Sequence, residues 1–161
     1  SERRGGNFVT RKITLEIREI LEGKRKKIVL GNLEARRDWG YAPEYMEAAW
    51  RMLQQKTPQD FVISTGVAHS ERDFVNAAAT ELGMHLTWEG KGLEEGGKDE
   101  QGRVVVRVNP RFYRPAEVHY LQGDSTKAQK NLGWTPATSF DELVRMMVRA
   151  DLARAEKERD Q

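Results

Sequence analysis

Arginine stands in unusual company at three separated places. Arg3 and Arg4 precede Gly5 and Gly6, Arg36 and Arg37 precede Asp38 and Trp39, and Arg114 precedes Pro115 with Glu117 three positions on. A guanidinium is a planar fork that meets two phosphate oxygens at once, and glycine lets backbone come close to a ligand. Arginines spread over several loops therefore point to one dispersed anionic ligand. Each group also has a plainer reading. Arg37 can pair with Asp38 or a neighbouring acid at a helix entry while Trp39 packs as core, and composition alone favours that. The run Gly23–Lys27 (GKRKK) is short and has no interleaved aromatics, so it reads as a solvated turn and not as a nucleic-acid patch. From residue types alone the chemistry stops at a phosphate-binding α/β module.

Other chemistries find little support. There is no glycine-rich phosphate loop of either common type, no HExxH and no nucleophile elbow. His69, His85 and His119 lie at unrelated spacings and read as surface histidines, not zinc ligands. The absence of cysteine excludes disulfides and thiolate catalysis, and suits a cytoplasmic setting. The 27 basic and 25 acidic residues nearly cancel, so a net charge of +2 is no argument for nucleic acid. No stretch approaches the ~20 apolar residues that a membrane helix needs. The opening SERRGGNFVT lacks the apolar run of a signal peptide, and 161 residues make about one domain.

Helical periodicity in Phe8, Ile13, Ile17, Ile20 and Leu21 predicts a first amphipathic helix stopped by Gly23. KKIVLGN predicts a short strand, and APEYMEAAWRMLQQ a second helix with Pro43 in its first turn. DFVISTG is the most strand-like run. Ser70 with Asp73 predicts the cap of a third helix carrying Phe74, Val75, Ala78 and Leu82. Two strands, HLTWEG and RVVVRV, then flank a glycine-rich, charged spacer from Glu89 to Gly102 that reads as a mobile hairpin loop. Pro115 biases Arg114 toward extended backbone. A short helix capped by Asp124 and stopped by Gly133 follows. Ser139 and Glu142 then cap a long last helix whose charged end, RAEKERDQ, should fray. The methionines sit mostly at core spacings.

Taken together, RRGGNFVTRKI, LGNLEARRDWGYAPEYMEAAWRMLQQ, DFVISTG, NPRFYRPAEV and KNLGWTP resemble the C-terminal half of the GDP-mannose 4,6-dehydratases, a family of extended short-chain dehydrogenase/reductases. The resemblance is collinear over nearly the whole chain and loosest between Glu89 and Gly102. It implies an α/β fold: the C-terminal part of a Rossmann-type enzyme, mainly the small substrate-binding lobe plus a late Rossmann strand, for which DFVISTG is the candidate. It implies one unit over 1–161, the dinucleotide-binding half lying outside this chain.

The implied activity is dehydration of GDP-mannose to GDP-4-keto-6-deoxymannose with bound NADP, in a homo-oligomer (dimer or tetramer) with no nucleic-acid or membrane partner. The family's glycine motif, catalytic threonine and glutamate, and tyrosine–lysine pair have no counterpart here, so the chain alone should be inert. By resemblance, Arg4, with Arg3 beside it, contacts the cofactor. Asn7 and Lys12 hold the nucleotide diphosphate, Arg37 neutralises it, Arg114 adds a second fork, and Glu117 accepts from ribose hydroxyls. Other extended short-chain dehydrogenases acting on nucleotide sugars, or a non-enzymatic nucleotide-binding module, are the alternatives.

Overall fold

The computed structural model describes residues 1–114 and 116–159. The backbone role expected of Pro115 therefore lies outside the described residues.

Three helices and one sheet make the main core. Helix α1 (Val9–Leu21) turns Ile13 and Ile17 inward and ends at Gly23, whose φ of 70° is the left-handed stop expected of it. Strand β1 (Ile28–Leu30) follows, then β2 (Arg36–Arg37) and helix α2 (Ala42–Leu53) with proline in its first turn. Strand β3 (His69–Ser70) runs directly into α3 (Glu71–Glu81). Here the predicted capping box is present in both directions: Ser70 Oγ accepts from the Asp73 N–H at 3.0 Å, and Asp73 accepts from the Ser70 N–H at 2.8 Å.

Strands β4 (Thr87–Glu89), β5 (Gly96–Lys98) and β6 (Val104–Val108) join β1 in a sheet ordered β1-β6-β5-β4, in which β1 and β6 are parallel and the other pairs antiparallel. Helix α5 (Phe140–Arg159) packs with α1 and α3, adding Leu143, Val144, Met147 and Val148 to the core. Strand β7 (Tyr120–Leu121) and helix α4 (Thr126–Leu132) come between. A smaller core of Ala48, Ala128, Leu132 and Trp134 joins α2 to α4, and the Trp134 indole donates to the Glu44 carbonyl at 2.9 Å. Among the described residues no helix is long and apolar enough to cross a membrane.

Three local expectations are corrected. Residues 60–66 are not a strand: a strand needs a ladder partner, and none of the described residues supplies one. Phe61 and Ile63 pack instead against the Trp134 cluster. The spacer 89–102 contains a strand, β5, between β4 and β6. Its glycines serve close packing, because a Cβ on Gly97 would sit 3.3 Å from both Trp88 and Val106. The C-terminal helix stays regular to Arg159. Arg154 is anchored there by the Asp151 carboxylate at 2.9 Å and the Glu2 carbonyl at 2.8 Å. Met52, Met84, Met146 and Met147 belong to the two cores or pack against them, as their spacing predicts, while Met46 is exposed on α2.

Candidate functional site

A second, three-stranded sheet, ordered β3-β2-β7, assembles the polar site. Strand β2 pairs antiparallel with β3, setting Arg37 opposite His69, and parallel with β7, setting Arg37 beside Leu121. The Arg36 N–H donates to the His119 carbonyl at 2.8 Å. Two short pairings thus bring together the arginine pair, the start of α3 and the segment carrying Glu117.

Arg37 is held rigidly. Its guanidinium donates to Glu117 Oε1 at 3.0 Å, to the Val118 carbonyl at 2.7 Å and to its own neighbour's carbonyl, Arg36, at 2.8 Å. Its acid is therefore Glu117 and not Asp38. Asp38 instead organises backbone: it accepts from the Thr65 N–H and hydroxyl at 2.9 and 2.6 Å, from the Gly66 N–H at 2.9 Å and from the Gly123 N–H at 3.2 Å. Trp39 packs edge-on to Phe74, with ring centroids 5.3 Å apart, so the aromatic half of the plainer reading holds.

Lys12, on the first turns of α1, donates to the Val29 carbonyl at 2.6 Å and lies 4.8 Å above the Phe112 ring. The loop after β6 reaches the same place through a 3-10 turn at Pro110–Phe112, in which Asn109 Oδ1 accepts from the Arg111 N–H at 2.9 Å. That turn lies against Gly31. A Cβ there would come within 2.4 Å of the Phe112 carbonyl oxygen, so Gly31 is needed for close approach. Gly31→Ala should displace the Arg111–Arg114 segment at about 1–3 kcal/mol of overpacking strain. Expected is weaker anion binding with the helical circular dichroism preserved, and native affinity in the variant would contradict it.

These elements enclose a cavity of about 520 Å³. Asn7, Lys12, Arg37, Arg114 and Glu117, all five residues expected on the ligand's diphosphate and ribose, line it together. Asn32, Glu71 and Arg111 line it as well, and sequence reasoning missed them. Arg111 stands only three positions before Arg114, a spacing that could have drawn it in. Glu71 follows the cap Ser70 and reads simply as a favourable first-turn acid. Nothing in the sequence marks Asn32, whose Oδ1 accepts from the Glu34 N–H at 3.0 Å.

Four cations thus face two carboxylates across one cavity. Arg37 is neutralised by Glu117, whereas Arg111 and Arg114 have guanidinium groups with no hydrogen-bond or ion-pair partner among the described residues. Burial, reinforced by the charge of Glu117, pushes the Glu71 carboxyl up to about 7, although Arg37 and Lys12 pull the other way. The surplus of positive charge suits a ligand with at least two negative charges.

The two arginines expected at the cofactor lie apart from this cavity. The Arg4 guanidinium sits 3.5 Å over the Phe8 ring and lines a second cavity of about 250 Å³ with Trp39 and Tyr45. Arg3 is exposed and lines neither. His85 and His119 are exposed, and His69 stacks on Phe140 at 3.8 Å. Among the described residues no cluster of three or more histidine or acidic side chains could hold a metal.

A family model described as GDP-mannose 4,6 dehydratase matches residues 1–147. GDP-mannose 4,6 dehydratase 2 of Caenorhabditis elegans is 53% identical over 153 residues, which are 95% of this chain and 40% of that protein. The Homo sapiens GDP-mannose 4,6 dehydratase is 52% identical over 94% of this chain and 41% of its own length. For the Vibrio cholerae GDP-mannose 4,6-dehydratase the identity is 46%, over 98% of this chain and 45% of that one. The chain spans about two-fifths of the length of these curated relatives.

Among solved structures, RMD from Pseudomonas aeruginosa complexed with NADPH superposes with a TM-score of 0.74 at 15% identity, over 94% of this chain and 44% of that one. A dTDP-glucose 4,6-dehydratase from Bacillus anthracis in complex with NAD gives 0.70 at 15% identity, over 95% and 42%. Those two likenesses show the α/β fold that this chain shares with them. With the family model covering nearly the whole chain, the protein belongs to the GDP-mannose 4,6-dehydratase family.

Proposed function

We propose that this chain is the nucleotide-sugar-binding half of an enzyme that dehydrates GDP-mannose to GDP-4-keto-6-deoxymannose. The observation that carries the reading is convergence. Asn7, Lys12, Arg37, Arg114 and Glu117 come from three separate stretches of sequence, and all line one cavity of about 520 Å³, a size that suits a nucleotide. Arg114 is the free fork for the diphosphate, and Arg111 stands beside it as an additional cation. Arg37, fixed by Glu117 and the Val118 carbonyl, is a preorganised charge that need not be ordered when ligand enters. Glu117 has a second carboxylate oxygen left to accept from a ribose hydroxyl.

The nicotinamide cofactor is NADP in this reading, and it supplies hydride acceptance from the sugar and its return. Arg4 and Arg3 fit a phosphate-bearing cofactor, because neither guanidinium is committed to a carboxylate among the described residues. The groups that would start the oxidation, and the dinucleotide crevice, belong to the part of the relatives' length that this chain does not span. The chain by itself is accordingly inactive, and the intact protein is a homo-oligomer, dimer or tetramer, in the cytoplasm. Binding of GDP-mannose in preference to a uridine diphosphate sugar by the intact polypeptide tests the reading.

A further inference from the structure

The cavity contains one carboxylate that the expected contacts leave without a purpose. Glu71 lines it, yet its carboxyl makes no ion pair and accepts no hydrogen bond among the described residues. The helix start gives it no help. The first-turn N–H groups of α3 are all taken, Glu71 by the Ala35 carbonyl at 3.2 Å, Arg72 by the Leu33 carbonyl at 3.1 Å and Asp73 by Ser70 Oγ at 3.0 Å. No backbone donor remains to hold a carboxylate there. The charged groups around it are Lys12 from α1, Arg37 from β2, Glu117 from the segment before β7, and Arg111 and Arg114 from the loop after β6.

We propose that Glu71 is a further ligand-contacting residue of this site, whose carboxyl takes up a proton when a nucleoside diphosphate ester enters the cavity. The inference rests on the reading of the cavity as a nucleotide site. A dianion placed among Lys12, Arg37, Arg111 and Arg114 also comes close to Glu71, and like charges in a confined space disfavour a second ionised group. Protonation removes that repulsion and turns the carboxyl into a donor toward ligand oxygen. Free Glu71, already pushed up by burial to about 7, needs only a modest further rise to hold its proton in the complex. The sign follows from linkage. Below the free group's titration the proton is already in place and binding is strongest; above it, each binding event must recruit a proton, and affinity falls as pH rises until the complex itself titrates.

The test uses the intact polypeptide and the β-methyl ester of GDP, whose phosphates do not titrate near neutrality. Calorimetric titration in two buffers of different ionisation enthalpy reads the protons taken up. Expected is net uptake above the Glu71 titration, with affinity falling by up to about tenfold per pH unit. Glu71→Gln should bind with the affinity of the acid form at every pH, without uptake. In the unsubstituted protein, infrared difference spectra should show loss of a carboxylate band as the ester binds. Proton uptake by Glu71→Gln equal to that of the unsubstituted protein, or no change in the carboxylate band, overturns the inference while leaving the nucleotide site standing. Failure of the unsubstituted protein to bind the ester removes the site and the inference together, and failure of Glu71→Gln alone overturns the inference.

Discussion

Asp151→Ala is expected to cost about 3–5 kcal/mol of folding stability, the range for stripping one partner from a buried ionic cluster. Asp151 is 0% exposed. Its carboxylate is shared by Arg11 at 2.8 Å, Arg154 at 2.9 Å and the Thr14 hydroxyl at 2.7 Å, and its backbone carbonyl accepts from Arg18 at 3.2 Å. Removing the carboxylate leaves arginines in a poorly solvated seam between α1 and α5 with no counter-charge. The damage extends to the N-terminal segment, because Arg11 also donates to the carbonyls of Glu2 and Arg4, and Arg154 to that of Glu2. Urea unfolding measures the loss. A change below about 1 kcal/mol would mean that the cluster only breaks even against solvent, as exposed pairs do.

Arg114→Ala should act at the ligand and spare the fold. Its guanidinium has no partner among the described residues, so its truncation strands no buried group. The expected loss is about 1.5–3 kcal/mol of GDP-mannose affinity, the range for a hydrogen bond to a charged group, with the melting temperature unchanged. Arg37→Ala would be a poorer probe, because it also frees Glu117 and the Val118 carbonyl. Unchanged affinity in Arg114→Ala would take this residue out of the site.

Local chemistry was legible in the sequence wherever it is settled by residues a few positions apart. The Ser70–Asp73 and Ser139–Glu142 boxes, the stops at Gly23 and Gly133, and the inward faces of α1 and α5 are of this kind. Features that depend on distant partners were not. DFVISTG has strand composition, but a strand forms only against a ladder partner. Glycines 96 and 97 read as flexible spacer, yet they are buried where β5 lies close to Val106 and Trp88. Glu95, in the same spacer, is buried against Arg72, an ion pair that spans the fold and has no local signature.

The site divides along the same line. Arginine forks on separate loops suggested an anion, and the family resemblance named the five residues, but the pairing of Arg37 with Glu117 required the β3-β2-β7 sheet. Glu71 escaped notice because an acid after a serine cap has a sufficient local explanation.

The cavity framed by Lys12, Arg37, Arg114 and Glu117 is proposed to bind the nucleotide diphosphate of GDP-mannose. Direct titration of the intact polypeptide with GDP-mannose and with UDP-glucose tests it most directly. Expected is saturable binding of GDP-mannose that weakens with added salt and exceeds UDP-glucose binding by at least about tenfold, or 1.4 kcal/mol. Equal affinity for the two sugars, or GDP-mannose binding that survives the combined loss of Arg111 and Arg114 undiminished, would contradict it.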